Sequence, residues 1–354
     1  MISEETLALA VDQGLLTPDQ VAGLRDLETK TNPLAPSPDD EQLRFITGFA
    51  DIFVTIGIAL FLGGIVFVME DQASWLRNAL VAVASWGLAE FFTRKRRMAL
   101  PSIALLLTFT ACVGFAVLMF LAGDLKTLGD YAQSLFFGDA KHLPAMLAAS
   151  LSSVAAAALH YWRFGVPITV AAGGAGLTAT VLSLLAFAAP NLVLSLQRPL
   201  TFACGLLFFV LAMWFDRQDL KRQTRLSDIA FWLHMLSAPL LVHSLAGYFA
   251  RSLMLTLNAA LLILAIFVVL GLVAVLIDRR ALLVSGLLYL AIAFSSVLRE
   301  TALGGAILPL TVLALGAFIL LISAAWQPLR RAVLGRVPEA LRRWVPPDRA
   351  SSSG

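Results

Sequence analysis

Residues 257–277 read LNAALLILAIFVVLGLVAVLI and contain no charged side chain. A helix needs about 20 predominantly apolar residues to cross the ~30 Å hydrocarbon core of a bilayer, and this run is long enough. Nine further stretches qualify or come close, so the sequence predicts ten transmembrane helices. Their approximate bounds are 50–69, 74–92, 99–122, 143–162, 164–188, 199–215, 227–249, 257–277, 281–297 and 302–325.

The composition of the whole chain supports the same class. Of its 354 residues, 59% are hydrophobic and 14% are charged, whereas a soluble domain is about half apolar and about a quarter charged. The apolar runs lack the alternation of barrel strands, and an open strand edge would leave backbone groups unpaired in lipid. The predicted fold class is therefore an all-α, polytopic helical membrane protein.

The basic residues predict the orientation of the helices. Lys and Arg favour the cytoplasmic side, and with the N-terminus inside most of the 26 basic residues fall in inner segments, including Arg94, Arg217 and Arg280. Ten crossings then place both termini in the cytoplasm. The net charge of +3 requires no nucleic-acid partner, because a basic surface facing anionic lipid accounts for it.

Four segments follow from the pattern: a cytoplasmic helical hairpin (1–30), a Pro-rich linker and juxtamembrane segment (31–49), a transmembrane domain (50–325) and a basic amphipathic tail (326–354). In the hairpin, Thr17-Pro18-Asp19-Gln20 predicts a helix start with a capping box. The hairpin is a candidate surface for a cytoplasmic protein partner. The tail, which mixes arginines with apolar residues, is expected to lie on anionic lipid of the bilayer.

Two similar stretches suggest an internal repeat. GGAGLTATVLSLLAF begins at Gly173 and GGAILPLTVLALGAF begins at Gly304, and ten of the 15 positions match. They lie in the fifth and tenth predicted spans, so two halves of five spans would be inverted relative to each other, as in many transporters. Alternatively, the match is chance in Leu-, Ala- and Gly-rich spans, and the small residues only form packing surfaces. The candidate broken-helix positions are Gly173, Gly174, Gly176, Gly304, Gly305 and Pro309.

Few ionisable residues lie in the spans, and each is a candidate transport or polar site. Glu90 precedes Arg94 by four residues, which predicts an ion pair on one helix face. His234 and His243 lie on nearly opposite faces of one helix, so each is expected to be hydrogen-bonded separately and not to share a metal. Arg299 and Glu300 close the ninth span, either as an outer contact for an anionic ligand or as interfacial anchors.

Two other groups are expected to have only structural roles. His160 and Asp51 are predicted to lie at the membrane interface because both are near span ends. Cys112 and Cys204 lie in apolar runs and are predicted to be core residues, not a redox pair.

The sequence contains no recognisable catalytic motif. The GGAG of residues 173–176 lies inside an apolar span and cannot be a phosphate loop. The sequence therefore predicts no catalytic residue, no cofactor and no metal site, and the protein is not expected to be an enzyme.

Two terminal motifs resemble a known group of proteins. The turn Gly14-Leu15-Leu16-Thr17-Pro18-Asp19-Gln20 is followed by a Pro-rich linker and many spans, and Trp326-Gln327-Pro328-Leu329-Arg330-Arg331 leads to Pro346-Pro347. This layout resembles uncharacterised families of bacterial polytopic membrane proteins of unknown function. The resemblance implies a bacterial inner-membrane location and brings no reaction, ligand or site residue with it.

Three functions remain open at this point. The first is a carrier or flippase-like transporter of a small or amphiphilic molecule, which predicts a central cavity contacted by the fifth and tenth spans. The second is a non-catalytic scaffold or sensor that uses the hairpin and the basic tail, and it predicts a filled bundle. A lipid-modifying membrane enzyme is the weakest hypothesis, because no nucleophile–base pair is visible.

Overall fold

The computed structural model describes residues 4–31, 49–123, 142–219, 224–249, 256–284, 286–299, 307–338 and 345. Every regular element among these residues is a helix. The chain divides into two compact units, one comprising Met1–Arg44 with Arg349–Gly354 and the other Phe45–Asp348.

The first unit contains two short helices, α1 (Glu4–Asp12) and α2 (Pro18–Thr31). Gly14 has a φ of +69° in the turn between them, a conformation that glycine adopts without steric cost. The backbone N–H of Gln20 donates to Thr17 Oγ1 at 3.3 Å, and the N–H of Thr17 donates to Gln20 Oε1 at 2.9 Å. The capping box predicted at this helix start is therefore confirmed.

The second unit contains the apolar helices. They are α3 (Phe49–Val68), α4 (Ser74–Ala89), α5 (Ala99–Ala122), α6 (Leu143–Phe164), α7 (Ile168–Ala188), α8 (Val193–Gln218), α9 (Arg225–Phe249), α10 (Leu257–Ile277), α11 (Ala281–Val284), α12 (Leu287–Arg299) and α13 (Ile307–Leu334). Eight of the helices in the described ranges are long and apolar enough to cross a membrane, namely α3, α5, α6, α7, α8, α9, α10 and α13.

Two of the ten predicted spans correspond to shorter helices. The second is α4, which has 16 residues and continues into a single π-helical turn, Glu90–Lys95. Arg97, at a φ of +55°, follows this turn before α5 begins. The ninth is divided between α11, which has four residues, and α12, which has 13.

The exterior of the second unit is strongly apolar. Large hydrophobic side chains such as Phe67, Trp162 and Leu308 are exposed, and in the most apolar window of α13 only 6% of residues are buried. In water such faces would be unfavourable, whereas lipid covers them at no cost. Long apolar helices with apolar outer faces are the features of a multi-pass membrane protein.

The neighbouring helices pack in a regular order. In the first part α3 contacts α4 and α5, and α5, α6 and α7 contact one another in sequence. In the second part α8 packs along α9, and α10 contacts α12 and α13. The two parts meet where α7 contacts α8 and α9.

The expected helix breaks at Gly173, Gly174 and Gly176 are wrong, because α7 is continuous through all three. Two of the three are points of close approach. A Cβ on Gly174 would lie 2.8 Å from Leu236 Cδ2, and one on Gly176 would lie 2.9 Å from Val154 Cγ2. Their role in α7 is packing, as small residues commonly have between membrane helices.

In the tenth span, Pro309 lies in the first turn of α13 and does not interrupt it, because a proline there displaces no intrahelical hydrogen bond. Gly304 and Gly305 lie outside the described residues.

The last helix continues past the predicted boundary at residue 325. α13 has 28 residues, which corresponds to about 42 Å, and it contains Pro328. Trp326 and Arg330, predicted to belong to a separate surface tail, are buried side chains of this helix. The first part of the predicted tail is therefore the end of the last apolar helix; residues 339–344 and 346–354 lie outside the described ranges.

Candidate functional site

Glu90 joins two helices through its carboxylate. Arg163, at the end of α6, donates from Nε to Glu90 Oε1 at 2.7 Å and from Nη2 to Oε2 at 2.9 Å. The predicted pair with Arg94 is also present, with Nη1 at 3.4 Å from Oε2. The contact from Arg163 is bidentate and shorter, so Glu90 mainly connects the π-helical turn after α4 to α6.

A second ionic cluster is buried between three helices. Asp216 near the end of α8, His234 in α9 and Arg279 just after α10 are all buried. His234 Nε2 lies 2.9 Å from Asp216 Oδ2. Arg279 donates from Nε to the same oxygen at 3.2 Å and from Nη2 to Asp216 Oδ1. Arg279 Nη2 is also 3.3 Å from Ser227 Oγ.

The buried charges around Asp216 depend on one another. Removing charges from water is costly, and their attraction repays this cost only when the geometry is good and further hydrogen bonds are made. Here the carboxylate has two charge-assisted hydrogen bonds from one guanidinium and a contact with an imidazole. The arrangement ties the ends of α8, α9 and α10 together.

A third group of contacts joins α10 to α13. Asp278 ends α10 with a φ of +57°, and its Oδ1 accepts a hydrogen bond from Trp326 Nε1 at 2.9 Å. Arg330 Nε lies 3.8 Å from the same oxygen. The guanidinium carbon of Arg280 lies 5.1 Å from the centre of the Trp326 ring, which is within the range of a cation–π contact.

The three groups share one position in the predicted topology. They involve the C-terminal ends of α6, α8, α10 and α13, the N-terminal half of α9, and the turn that follows α4. In the topology predicted from the basic residues, all of these ends would face the cytoplasm.

Two cavities lie between the helices. The larger, of about 470 Å³, lies between α10, α12 and α13 and is lined only by apolar residues, among them Phe267, Leu290 and Phe318. The smaller, of about 400 Å³, lies between α5, α6 and α7 and has a few polar lining groups, including Thr110 and Ser153. Both have the size of small-molecule sites, which is ≈ 300–1,000 Å³.

The expected single cavity contacted by both repeat helices is not found among the described residues. The fifth predicted span, α7, lines the smaller cavity, and the tenth, α13, lines the larger. Each cavity therefore involves one of the two helices.

The two histidines of α9 have separate partners. His234 belongs to the Asp216 cluster, whereas His243 is exposed and its Nδ1 lies 2.5 Å from Tyr289 Oη on α12. Within the described ranges, no group of three or more His, Cys, Asp or Glu residues could hold a metal ion.

The other predicted positions differ in their surroundings. Arg299 is exposed at the end of α12, and Glu300 lies outside the described residues. His160 is fully buried beside the rings of Trp86 and Phe164. Asp51, at the start of α3, is also buried.

Sequence reasoning missed Asp216, Asp278 and Arg279 as site residues. Each lies at the end of an apolar run, where a charged residue is usually solvated or interfacial. The only available signal was their position in the sequence. Asp216 and Asp278 each precede an arginine at the end of an apolar run, and the distribution of Lys and Arg predicts that these two ends face the same side of the membrane.

The chain matches no protein-family model, and comparisons with curated proteins and with solved structures give no significant match.

Proposed function

We propose that the protein is a flippase-like carrier of an amphiphilic molecule in a bacterial inner membrane. In this proposal the chain crosses the membrane ten times, with α4 and the α11–α12 segment as the second and ninth crossings. The first half comprises the crossings α3 to α7, and the second half those from α8 to α13. Both termini are cytoplasmic.

The position of the two cavities carries the proposal. The smaller cavity lies between α5, α6 and α7, the third, fourth and fifth crossings of the first half. The larger lies between α10, α12 and α13, the third, fourth and fifth crossings of the second half. Two similar spaces at equivalent places support a duplicated architecture with a binding space in each half.

Each cavity begins at an equivalent point along the third helix of its proposed half. The lining begins at Leu107 in α5 and at Leu264 in α10, in both cases roughly two turns into the third helix of the half. In the predicted topology α5 runs outward and α10 runs inward. In that topology the α5 and α6 lining of the smaller cavity lies toward the outer leaflet and its α7 lining toward the inner leaflet, whereas the α10 lining of the larger cavity lies toward the inner leaflet.

The chemistry of the cavities favours an amphiphile over an inorganic ion. The larger cavity has no polar side chain in its lining, and stripping a small ion of water in such a space would be very unfavourable. A hydrocarbon chain, in contrast, enters such an apolar space favourably, because its transfer removes apolar surface from water. The ionic contacts at the cytoplasmic ends would hold the inner side closed and would have to rearrange during a transport cycle.

Reconstitution into liposomes tests this function directly. Phospholipids with a fluorescent label in the acyl chain should move between leaflets faster in vesicles containing the protein than in protein-free vesicles. Ala314→Phe, which fills the larger cavity, should remove the acceleration. Leu313→Phe is the matched control, since Leu313 is exposed on the same helix and does not line the cavity. Movement at the protein-free rate with correctly folded wild-type protein would contradict the proposal.

The separation of the two cavities favours a second candidate, a non-catalytic scaffold or sensor. Such a protein would use its N-terminal helices to bind a cytoplasmic partner and would need no path through the bundle. Deleting residues 1–40 distinguishes the two. A scaffold would lose its partner while still inserting in the membrane, whereas a carrier would retain lipid movement.

A further inference from the structure

The larger cavity has a distinct charged end. Val275 of α10 and Leu329 of α13 are among its lining residues, and the chain beyond Val275 leads directly into Asp278, Arg279 and Arg280. Trp326 lies between the lining residues Ile322 and Leu329 on α13, and it packs in the same hydrophobic cluster as Val275, Leu290 and Phe267. Trp326 therefore lies at the boundary between the apolar cavity and the charged groups.

The three charges that follow α10 are not equivalent. Arg279 is paired with Asp216, and Asp278 is shared by Trp326 and Arg330. Arg280 is half-buried, and the contact seen for its guanidinium is the face of Trp326. Within the described residues it has no acidic partner.

The surroundings of Arg280 fix its position. The hydrogen bond from Trp326 Nε1 to Asp278 holds the indole ring, and the ring in turn lies beside the guanidinium. A guanidinium stacked on an aromatic ring keeps its N–H donors in the plane available for another group. Phosphate and carboxylate oxygens are the acceptors that match this fork.

From this arrangement we infer that the larger cavity binds an anionic amphiphile, with its hydrocarbon part between α10, α12 and α13 and its phosphate or carboxylate group on Arg280. The inference rests on the proposed function, whose ligand class it specifies. An acidic phospholipid satisfies both halves of the site. The cavity offers apolar surface for the chain, and Arg280, beside Trp326 and without an acidic partner in the described part of the chain, offers a cation for the headgroup. A zwitterionic lipid would add a positive group next to Arg280, which is unfavourable.

Lipid binding to the purified full-length protein tests the inference. Native mass spectrometry with equal amounts of a phosphatidylglycerol and a phosphatidylcholine of identical chains should show a preference of about tenfold or more for the anionic lipid, the size expected from one charge-assisted hydrogen bond. Arg280→Gln should remove this preference and still retain both lipids weakly. Arg331→Gln is the matched control, because Arg331 is an exposed arginine near the end of α13, the helix that carries Trp326, and should keep the preference.

Further measurements separate the remaining outcomes. Free glycerol phosphate should not compete with the lipid, and competition by it would show a soluble anion site instead. Rising salt should weaken the preference of the wild-type protein, a readout that holds even if Arg280→Gln does not fold. A preference that survives both Arg280→Gln and high salt would overturn the inference and leave amphiphile binding intact. Failure to retain either lipid would contradict the proposed function itself.

Discussion

At the scale of single residues, Asp216 has the most demanding environment among the charged groups described above. Its carboxylate is buried and is contacted by Arg279 and His234 from two other helices. Replacing Asp216 alone would leave Arg279 and His234 buried without their partner. The cluster is thus the point at which one side-chain change should have the largest effect on the helix bundle.

Asp216→Asn should lower the free energy of unfolding by about 3 kcal/mol or more, since it leaves the Arg279 guanidinium buried without a counter-charge. Arg94→Gln is the control, because the Arg94–Glu90 contact is long and partly exposed and should cost less than about 1 kcal/mol. Thermal unfolding in the same detergent measures both. Equal midpoints for the two variants would show that the Asp216 cluster does not hold the helices together.

At His160, in contrast, a substitution is expected to make the protein more stable. Its side chain is fully buried against aromatic rings, and neither ring nitrogen has a hydrogen-bond partner among the described residues. A buried polar group without a partner costs about 1–3 kcal/mol, so His160→Leu should raise the unfolding midpoint.

The matched variant for this test is His243→Leu, which removes a histidine that contacts Tyr289 and should give no increase. A lower midpoint for His160→Leu than for the wild type would mean that the ring nitrogens are satisfied, for example by a bound water.

The sequence predicts contacts between residues close along a helix and misses those between distant ones. Thr17 with Gln20 and Glu90 with Arg94 follow from fixed helical spacings, and both contacts are present. Arg163 lies 73 residues from Glu90, and Arg279 lies 63 residues from Asp216. Such pairs depend on which helices become neighbours, which a single sequence without aligned relatives does not encode in any local pattern.

At the scale of the helix, α7 shows why small residues were misinterpreted as breaks. Glycine lowers helix propensity in water, but in an apolar environment the backbone hydrogen bonds have no competitor. The helix therefore continues, and the absent side chains allow α6, α8 and α9 to approach. The approximate positions of most apolar helices were predictable, because a helix needs about 20 apolar residues to cross a bilayer. The lengths of α4, of the α11–α12 segment and of α13 were not predicted.

Two glycines about one turn apart in α7 allow a matched comparison. A Cβ on Gly176 would meet Val154 Cγ2 at 2.9 Å and the Val154 backbone nitrogen at 3.4 Å, whereas one on Gly173 would be at 3.7 Å from Ala157 Cβ. Gly176→Ala should therefore destabilise the protein by about 1–3 kcal/mol through overpacking, and Gly173→Ala should be neutral or slightly stabilising. Unfolding in detergent compares the two, and the reverse order would contradict the packing of α6 on α7.

The ends of the helices form a second pattern at this scale. The π-helical turn Glu90–Lys95 widens the end of α4, and π-helical turns often occur at functional sites. Here the turn accompanies the contact of Glu90 with Arg163 on α6. The connection is formed by two partly exposed side chains, so it should break more easily than the buried Asp216 cluster.

At the scale of the whole molecule, the two cavities and the ionic contacts have different distributions. The cavities lie at equivalent places in the two proposed halves, while the ionic contacts gather at the ends predicted to be cytoplasmic. A bundle of this kind would open toward the cytoplasm only if buried charges were separated. The proposed transport cycle thus predicts that variants of Asp216 affect lipid movement as well as stability.

The inverted arrangement of two halves is the central claim, and the positions of three sites relative to the membrane test it. Single cysteines at Ser37, Asn191 and Ser351, in a chain with Cys112 and Cys204 replaced by serine, would be labelled in intact and permeabilised cells with a membrane-impermeant maleimide. The account predicts labelling of position 191 from outside, and of positions 37 and 351 only after permeabilisation. Labelling of position 191 on the same face as position 37, or of the two ends on different faces, would contradict it.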